Sequence, residues 1–432
     1  MNLHSWGNYP IIESETFSFI DRDALKKILT MNNELIPYGN GRSYGDSALA
    51  ERIIWVKSYN YFLDFDQSNG ILLVQSGVLL SEILNLIVPK GWFLKVTPGT
   101  KYITIGGAIA SDVHGKNHHL EGCFSECVIE FSLMLPKGTI VKCSKTENSE
   151  LFKATCGGMG LTGVILDAKI SLKKTNSKNI DQTTIKTNNL KETFEAFEKY
   201  GNSPYSVAWI DCFAEDDSIG KCLLRIGDFS DDGNLDYLQK KKVSIPFYFP
   251  SFTINTFTIK MFNKFYYSKV NKPFSKQKVD LDTFFYPLDA IENWNRIYGK
   301  KGFTQYQFIL PLENSYVGLM EILKKISNSG RGSFLAVLKL YGKANENYLS
   351  FPMEGYSLAL DFKIENGLFE FLDELDQIVL KYRGRIYLTK DARVNKSTFE
   401  QGYPKINEFR KLRDKYKMNK KFNSLQSKRV GI

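Results

Sequence analysis

Three glycine-rich turns constrain this chain more than any other feature: "GNGRSYGD" (39–46), "PGTKYITIGGA" (98–108) and "CGGMGLTG" (156–163). One such turn does no more than reverse the chain, because glycine reaches backbone conformations that other residues avoid. Three of them, set between short apolar strand-like runs, bring bare backbone close to one large ligand. Without a Cβ the main chain can approach, and exposed amides can donate to a pyrophosphate. None fits G-x-x-x-x-G-K-[ST], and none opens a βαβ unit as G-x-G-x-x-G. Neither a P-loop nor a Rossmann crevice is therefore expected.

The 432 residues suffice for two domains with separate cores, and 43% hydrophobic with 24% charged residues is ordinary for a soluble globular protein. Aromatic residues reach 14%, which suits β-rich cores or, alternatively, an apolar or ring-shaped ligand. The six cysteines form no C-x-x-C pair and read as thiols in a reducing compartment. The start, "MNLHSWGNYPIIESET", carries no secretory pattern, and no apolar run of about 18 residues would span a bilayer. A cytoplasmic protein is expected.

The net charge is +10, and the stretch Arg410–Arg429 is strongly basic. That tail either attracts phosphates, anionic membrane or nucleic acid, or forms a solvated helix face. No RNP, helix-turn-helix or zinc-finger pattern accompanies it, so no nucleic-acid partner is expected.

Short strands and helices alternate up to about residue 175. "DRDALKKILTMN" reads as a helix with an Asp N-cap, "LLSEILNLIVPKGW" as a helix capped by Ser81 and stopped near Pro89 and Gly91, and "ECVIEFSLMLPKGTIVKCS" as a hairpin turning at "PKG". Beyond Ser177 come longer elements, among them "YSVAWIDCF", "FTQYQFILP", "SFLAVLKLYG" and "YSLALDFKI" as strands and "GLFEFLDELDQIVLKY" as a helix. That order predicts a sheet covered on one side by helices. The stretch from Ile245 to Lys269 mixes aromatics with Lys260, Lys264 and Lys269; it is either a lipid-docking surface or an ordinary domain wall.

Three of the four histidines cluster in "SDVHGKNHHLEG": His114, His118 and His119. Gly115 and Asn117 weaken a helix there and no Glu follows His114, so a metal site is not expected. One of the three suits proton transfer, while His118 and His119 read as structural, hydrogen-bonded to loop carbonyls.

Taken together, "GNGRSYGD", "TPGTKYITIGGAIASDVHGKNHH" and "ELFKATCGGMGLTGVI" resemble the FAD-binding domain of flavoproteins of the vanillyl-alcohol-oxidase type. The "HGKNHH" block looks like the decaprenylphosphoryl-β-D-ribose 2′-oxidases among them. The likeness runs on through "FFYPLDAIENWNRIYGKKGFTQYQFILP", "LSFPMEGYSLALDF" and "GRIYLTKDARV", and is loose only from about 215 to 280.

The resemblance implies an α+β fold: a two-subdomain FAD-binding domain over 1–175, completed by 388–432, and an antiparallel-sheet substrate domain with flanking helices over 176–387. It implies that FAD is held by Pro37, Gly39, Asn40, Gly41, Arg42, Ser43, Tyr44, Gly45 and Ser47, then by Gly99, Thr104, Ile105, Gly106 and Gly107, and by Ser111, His114, Ile165 and Tyr387. Many relatives attach FAD through a His where this chain has Arg42, so non-covalent FAD is expected. Lys390 is implied as the main catalytic residue, with His114 and Tyr44 beside it. Lys116, Trp209, Tyr286, Gln305, Gln307, Lys339, Ser357 and Lys390 are implied to bind substrate. Some members carry Cys and Asn where this chain has Ala359 and Ser357, so its side chains there are smaller and lack a thiol. Near the C-terminus, Lys417 and Met418 replace an Asp-Pro found in relatives.

The implied reaction is oxidation of the 2′-hydroxyl of a polyprenyl-phosphate-linked pentose to a keto sugar, the first half of an epimerisation serving cell-envelope polysaccharide synthesis. A separate NAD(P)H-dependent keto-reductase would complete it, and the protein would sit peripherally at the inner face of the membrane. The alternative is an aldonolactone or alditol oxidase acting on a soluble sugar with oxygen as acceptor.

Overall fold

The computed structural model describes residues 1–238 and 242–432. Near the N-terminus, strands Glu15–Ser18 and Ile36–Tyr38 flank Arg52–Trp55 in a parallel three-stranded sheet. Helix Arg22–Met31 joins the first two, its N-terminus capped by the Asp21 carboxylate, which accepts from the Ala24 amide at 2.7 Å. Strand Ile36–Tyr38 ends directly in Gly39, so the first glycine loop leaves the carboxyl end of a parallel strand, the usual side for a ligand in such sheets.

A second, antiparallel sheet runs in the order Ile140–Ser144, Val128–Met134, Val164–Lys174, Ile71–Gln75, Phe62–Asp66. The hairpin expected at "PKG" is present, with Gly138 at φ +81° donating back to Leu135. Helix Leu80–Ile87 starts one residue before the expected cap. Ser81 lies inside it, and the Glu82 carboxylate accepts from the Leu79 amide at 2.7 Å. Glutamate at the third helical position can reach back to that amide; a serine inside the first turn cannot.

The third sheet has eight antiparallel strands, in the order Phe274–Asp280, Asn179–Thr187, Cys222–Phe229, Tyr205–Ile210, Ala336–Tyr341, Gly355–Lys363, Phe303–Pro311, Arg385–Ile386. Side chains alternate across it. Tyr306, Phe308, Leu358 and Leu360 are buried on the face covered by helices Leu190–Lys199, Leu312–Ser329 and Leu368–Lys381. Helix Leu368–Lys381 buries Leu368, Phe371, Leu372, Leu375 and Val379, a stripe of helical period; each such side chain contributes about 1.5–3 kcal/mol when removed from water. The residues between, including Gln305, Gln307, Ser357 and Ala359, face a cavity.

After the edge strand Arg385–Ile386 the chain returns to the glycine-loop side. Helices Lys396–Gly402, Ile406–Lys415 and Leu425–Val430 follow, and Phe422 bridges to Leu35 in parallel. The basic tail divides: Lys411, Lys415, Lys417 and Lys420 are exposed, as on a solvated face, while other cations are tied to partners. Arg413 is buried and donates to the carbonyls of Leu161 and Phe422; Arg429 pairs with Asp46 at 2.7 Å and Asp391 at 2.9 Å; Arg410 pairs with Glu400, and Lys428 with Glu34. Half-buried cations so placed are held by internal partners, which composition alone does not reveal.

Candidate cofactor and substrate site

A cavity of about 500 Å³ runs between the glycine loops and the open face of the large sheet. Pro37, Gly39, Asn40, Gly41, Arg42, Ser43, Tyr44, Gly45 and Ser47 line it, as do Gly99, Thr104, Gly106, Gly107, Ser111, His114, Ile165 and Tyr387. From the sheet side come Trp209, Gln305, Gln307, Lys339, Ser357 and Ala359, joined by Lys116 and Lys390. Two expected residues fall elsewhere. Ile105 is fully buried in the core, with its amide bonded to Val78, and the Tyr286 hydroxyl shares a 2.7 Å hydrogen bond with Thr97 behind the wall.

The glycine loops are shaped to admit backbone-close contact. A Cβ at Gly99 would meet no protein atom within 4 Å and would project into open space, and one at Gly107 would meet only the Thr104 hydroxyl, at 3.1 Å. Thr104 caps helix Ile105–Ala110, its hydroxyl accepting from the Gly107 amide at 3.1 Å. Among the described residues, the amides of Gly41, Arg42 and Ser43 donate to no protein group. Gly45 has a different reason: a Cβ there would lie 1.6 Å from the Asp391 carbonyl oxygen. The first loop is thereby pressed against the returning chain, and the Tyr44 amide donates to the Thr389 carbonyl at 3.1 Å.

Several polar groups on this wall lack protein partners. The buried Arg42 Nε, Ser76 Oγ and His114 Nδ1 make no hydrogen bond, a costly state unless a ligand supplies the partner. The Arg42 guanidinium lies 4.0 Å from the Trp6 ring centroid. At the other end His114 is buried among Tyr341, Phe351 and Tyr387, with ring centroids 5.0, 5.7 and 5.1 Å away. Burial, with Lys339, His118 and Lys390 nearby, holds its pKa well below that of an ordinary histidine. It is a neutral imidazole at physiological pH. Gln307 Nε2 donates to its Nε2 at 3.3 Å, which leaves the ring proton on Nδ1.

The other two histidines are scaffolding. His119 Nε2 bonds the Ser203 carbonyl at 2.9 Å, as expected. His118 differs: its Nδ1 accepts from the Gly342 amide at 3.2 Å and its Nε2 contacts the Cys123 thiol at 3.4 Å.

Lys390 is half-buried, its ammonium 3.8 Å from the Tyr44 ring centroid. Burial lowers its pKa well below the lysine range, and the Asp361 carboxylate opposes that shift. Asp361 is buried, accepts from Gln305 Nε2 at 2.6 Å, and is raised by its own burial. Sequence reading missed Asp361, yet "YSLALDF" signals it: the residue lies two and four positions past Ala359 and Ser357, on the face that strand alternation gives to the cavity. Arg225, Phe262 and Tyr266 also line the cavity and were not expected there. They lie in the loosely matching middle of the chain, where only the period-two pattern of "CLLRIGDF" offers a clue.

Comparison with known proteins agrees with this geometry. A family profile described as an FAD binding domain matches residues 21–144. The decaprenylphosphoryl-beta-D-ribose oxidase of Mycolicibacterium smegmatis is 34% identical, over 100% of this chain and 97% of its own. Shorter similarities occur to mouse L-gulonolactone oxidase (28% identical, 34% of this chain and 33% of that one) and human Delta(24)-sterol reductase (30%, 26% and 21%). The open cradle at Gly99, the unbonded amides and the unpartnered Arg42 and His114 fit FAD. With an α+β architecture and an FAD-binding domain, this chain belongs to the decaprenylphosphoryl-β-D-ribose oxidase family of FAD-dependent oxidoreductases.

Proposed function

We propose that this chain oxidises the 2′-hydroxyl of a pentose carried on a polyprenyl phosphate, giving a 2′-keto sugar that a separate reductase then consumes. The observation that carries the reading is Lys390. Among the described residues its ammonium has no ion-pair partner, and it faces a cavity shared by the glycine loops and by Gln305, Gln307 and Ser357. Bound FAD supplies a hydride acceptor for the carbinol carbon.

The protein's part is to hold the sugar and manage its proton. A lysine whose pKa is depressed by burial has a neutral fraction able to take the hydroxyl proton, and the resulting ammonium is stabilised by the Asp361 carboxylate. Tyr44 packs against Lys390 and limits its directions of approach. Gln307 donates to Ser357 Oγ at 3.3 Å as well as to His114, so one amide orients two polar groups of the pocket. Residues 1–175 with 388–432 serve as the cofactor half, and 176–387 as the substrate half.

The lipid part of the substrate has a matching surface. Helix Thr256–Ser268 turns Phe262 and Tyr266 toward the cavity while Phe257, Met261 and Phe265 are 71%, 53% and 69% exposed. Lys264 and Lys269 on the same segment are exposed without an ion-pair partner among the described residues, whereas Lys260 pairs with Glu215 at 2.9 Å. Aromatics flanked by lysines suit an anionic bilayer surface. Among the described residues no helix is long and apolar enough to cross a membrane.

The similarity to mouse L-gulonolactone oxidase spans 34% of the chain and that to the bovine enzyme 41%, too little to include a pocket that runs from Gly39 to Lys390. The test is a visible spectrum of the purified yellow protein under anaerobic conditions. Bleaching by a polyprenyl-phosphoryl ribose, but not by free sugar alcohols, supports the reading. Turnover of free sugars with peroxide release, and no response to the lipid-linked sugar, overturns it.

A further inference from the structure

The wall contributed by the large sheet carries more positive charge than proton removal needs. Arg225 on strand Cys222–Phe229 is directly opposite Val207 on its neighbour. Beyond that neighbour, Trp209 pairs with Val337, and Lys339 is the next residue on the cavity-facing side of the strand. Arg225 and Lys339 therefore flank Val207 from its two sides, about 10 Å apart at the backbone by the normal strand spacing. Both side chains are long enough to meet over it. Lys116 enters from the histidine loop, donates to the Phe284 carbonyl, and lies 4.6 Å from the Phe284 ring centroid.

Among the described residues none of the three cations is in an ion pair, and each is half-buried. Burial holds Lys339 down at about 8 and Lys116 well below the usual lysine value, with Lys339 and Arg225 adding to the effect on Lys116. Withdrawing cations from water without a counter-charge is unfavourable, so their grouping on one wall calls for an anion from the ligand. The position of the group narrows that anion. Arg225 donates to the hydroxyl of Tyr266, which meets Trp209 edge-on with centroids 4.8 Å apart. Arg225 thus ties the cation group to the aromatic helix Thr256–Ser268.

Resting on the function proposed above, we infer that Arg225, Lys339 and Lys116 form a phosphate subsite, and that Arg225 reads the phosphodiester of the lipid-linked sugar. The cross-strand rows give the order. Gln305, held by Asp361, then Gln307 with Ala359, flank the sugar, and the next row, Ser357 with Lys339, begins the anion site. The prenyl chain then leaves past Tyr266 and Phe262. A guanidinium can hold two phosphate oxygens at once, which a lysine cannot.

The test uses FAD-loaded Arg225→Met and Arg225→Lys proteins whose flavin spectra and unfolding midpoints match wild type. Half-saturation for anaerobic bleaching is compared between a prenyl-phosphoryl ribose and the alkyl riboside of the same chain length without phosphate. The wild-type preference for the phosphorylated compound should fall at least about ten-fold in Arg225→Met, and Arg225→Lys should restore part of it. In parallel, calorimetry measures binding of a prenyl monophosphate, which has no sugar, to the same holoproteins. Binding should weaken about ten-fold in Arg225→Met and with added salt. If both compounds lose equally, or if prenyl phosphate binds the variant as well as wild type, the subsite is wrong. If no sugar bleaches the wild type while prenyl phosphate binding still depends on Arg225, the oxidase reading fails and the anion site stands.

Discussion

The Lys390 ammonium rests 3.8 Å from the centroid of the Tyr44 ring, joining the first glycine loop to the last turn before the C-terminal helices. The backbone repeats the link, with the Tyr44 amide donating to the Thr389 carbonyl at 3.1 Å. A cation held over a ring in a partly dry site is both attracted and restrained. The group proposed to take the proton is thus positioned by the same loop proposed to cradle FAD.

Replacing Lys390 with Met should leave the flavin spectrum intact and slow anaerobic bleaching by about 100-fold or more. The wild-type rate should respond to pH with a definite sign. Burial lowers the lysine, so its neutral, proton-accepting form grows as pH rises through a range well below 10.5. The rate should climb through that range and then level off. Stopped-flow bleaching against pH checks this, and the rise should be absent from Lys390→Met.

Two glycines separate cofactor room from chain packing. Gly99→Leu adds a side chain where a Cβ meets nothing within 4 Å, so the apoprotein should unfold at an unchanged midpoint. Its FAD affinity should fall about ten-fold or more, because filling a fitted space costs about 1–3 kcal/mol. Gly45→Ala should destabilise the protein itself, since its Cβ would sit 1.6 Å from the Asp391 carbonyl oxygen. FAD titration by fluorescence quenching and thermal unfolding separate the two.

Arg429 holds two buried carboxylates, Asp46 and Asp391, each 4% exposed. Arg429→Met should cost about 3–5 kcal/mol in urea unfolding, the usual effect of stranding buried charge. Burial acts to raise Asp391, but Arg429 and Arg393 reverse this and hold it below the usual carboxylate value. Its contribution in the wild type is therefore present above about pH 4 and is lost as pH falls further. The difference between variant and wild type should be large at pH 7 and shrink in acid.

Changing Phe257, Met261 and Phe265 together to Ser should weaken binding to vesicles containing anionic lipid by about 100-fold or more, given about 1.5–3 kcal/mol for each large side chain buried. Co-sedimentation measures it. Unaltered binding would remove the helix from any membrane contact. Bleaching by a short-chain, water-soluble substrate should survive the triple change.

The glycine turns and the sheet-plus-helix half were legible because both rest on local rules, turn chemistry and period-two alternation. So were the cavity positions carried over from the family motifs, apart from Ile105 and Tyr286. Ile105 carries a motif position, but its side chain is buried and its amide is bonded to Val78, so only its glycine neighbours reach the cavity. The basic tail was legible only in part: its exposed lysines form a solvated face, but charge counted along a chain ignores partners, and those of Arg413 and Arg429 lie at Leu161 and Asp46. Arg225 and Asp361 escaped notice because only strand register sets Arg225 across Val207 from Lys339 and Asp361 opposite Gln305.

The clasp between Arg429 and Asp46 joins residues 383 positions apart. During synthesis the first glycine loop emerges long before the arginine that braces it, and the Asp391 carbonyl that packs on Gly45 also comes late. The brace on that loop cannot form until Arg429 itself has been made, so the loop gains its last support from residues translated long after it.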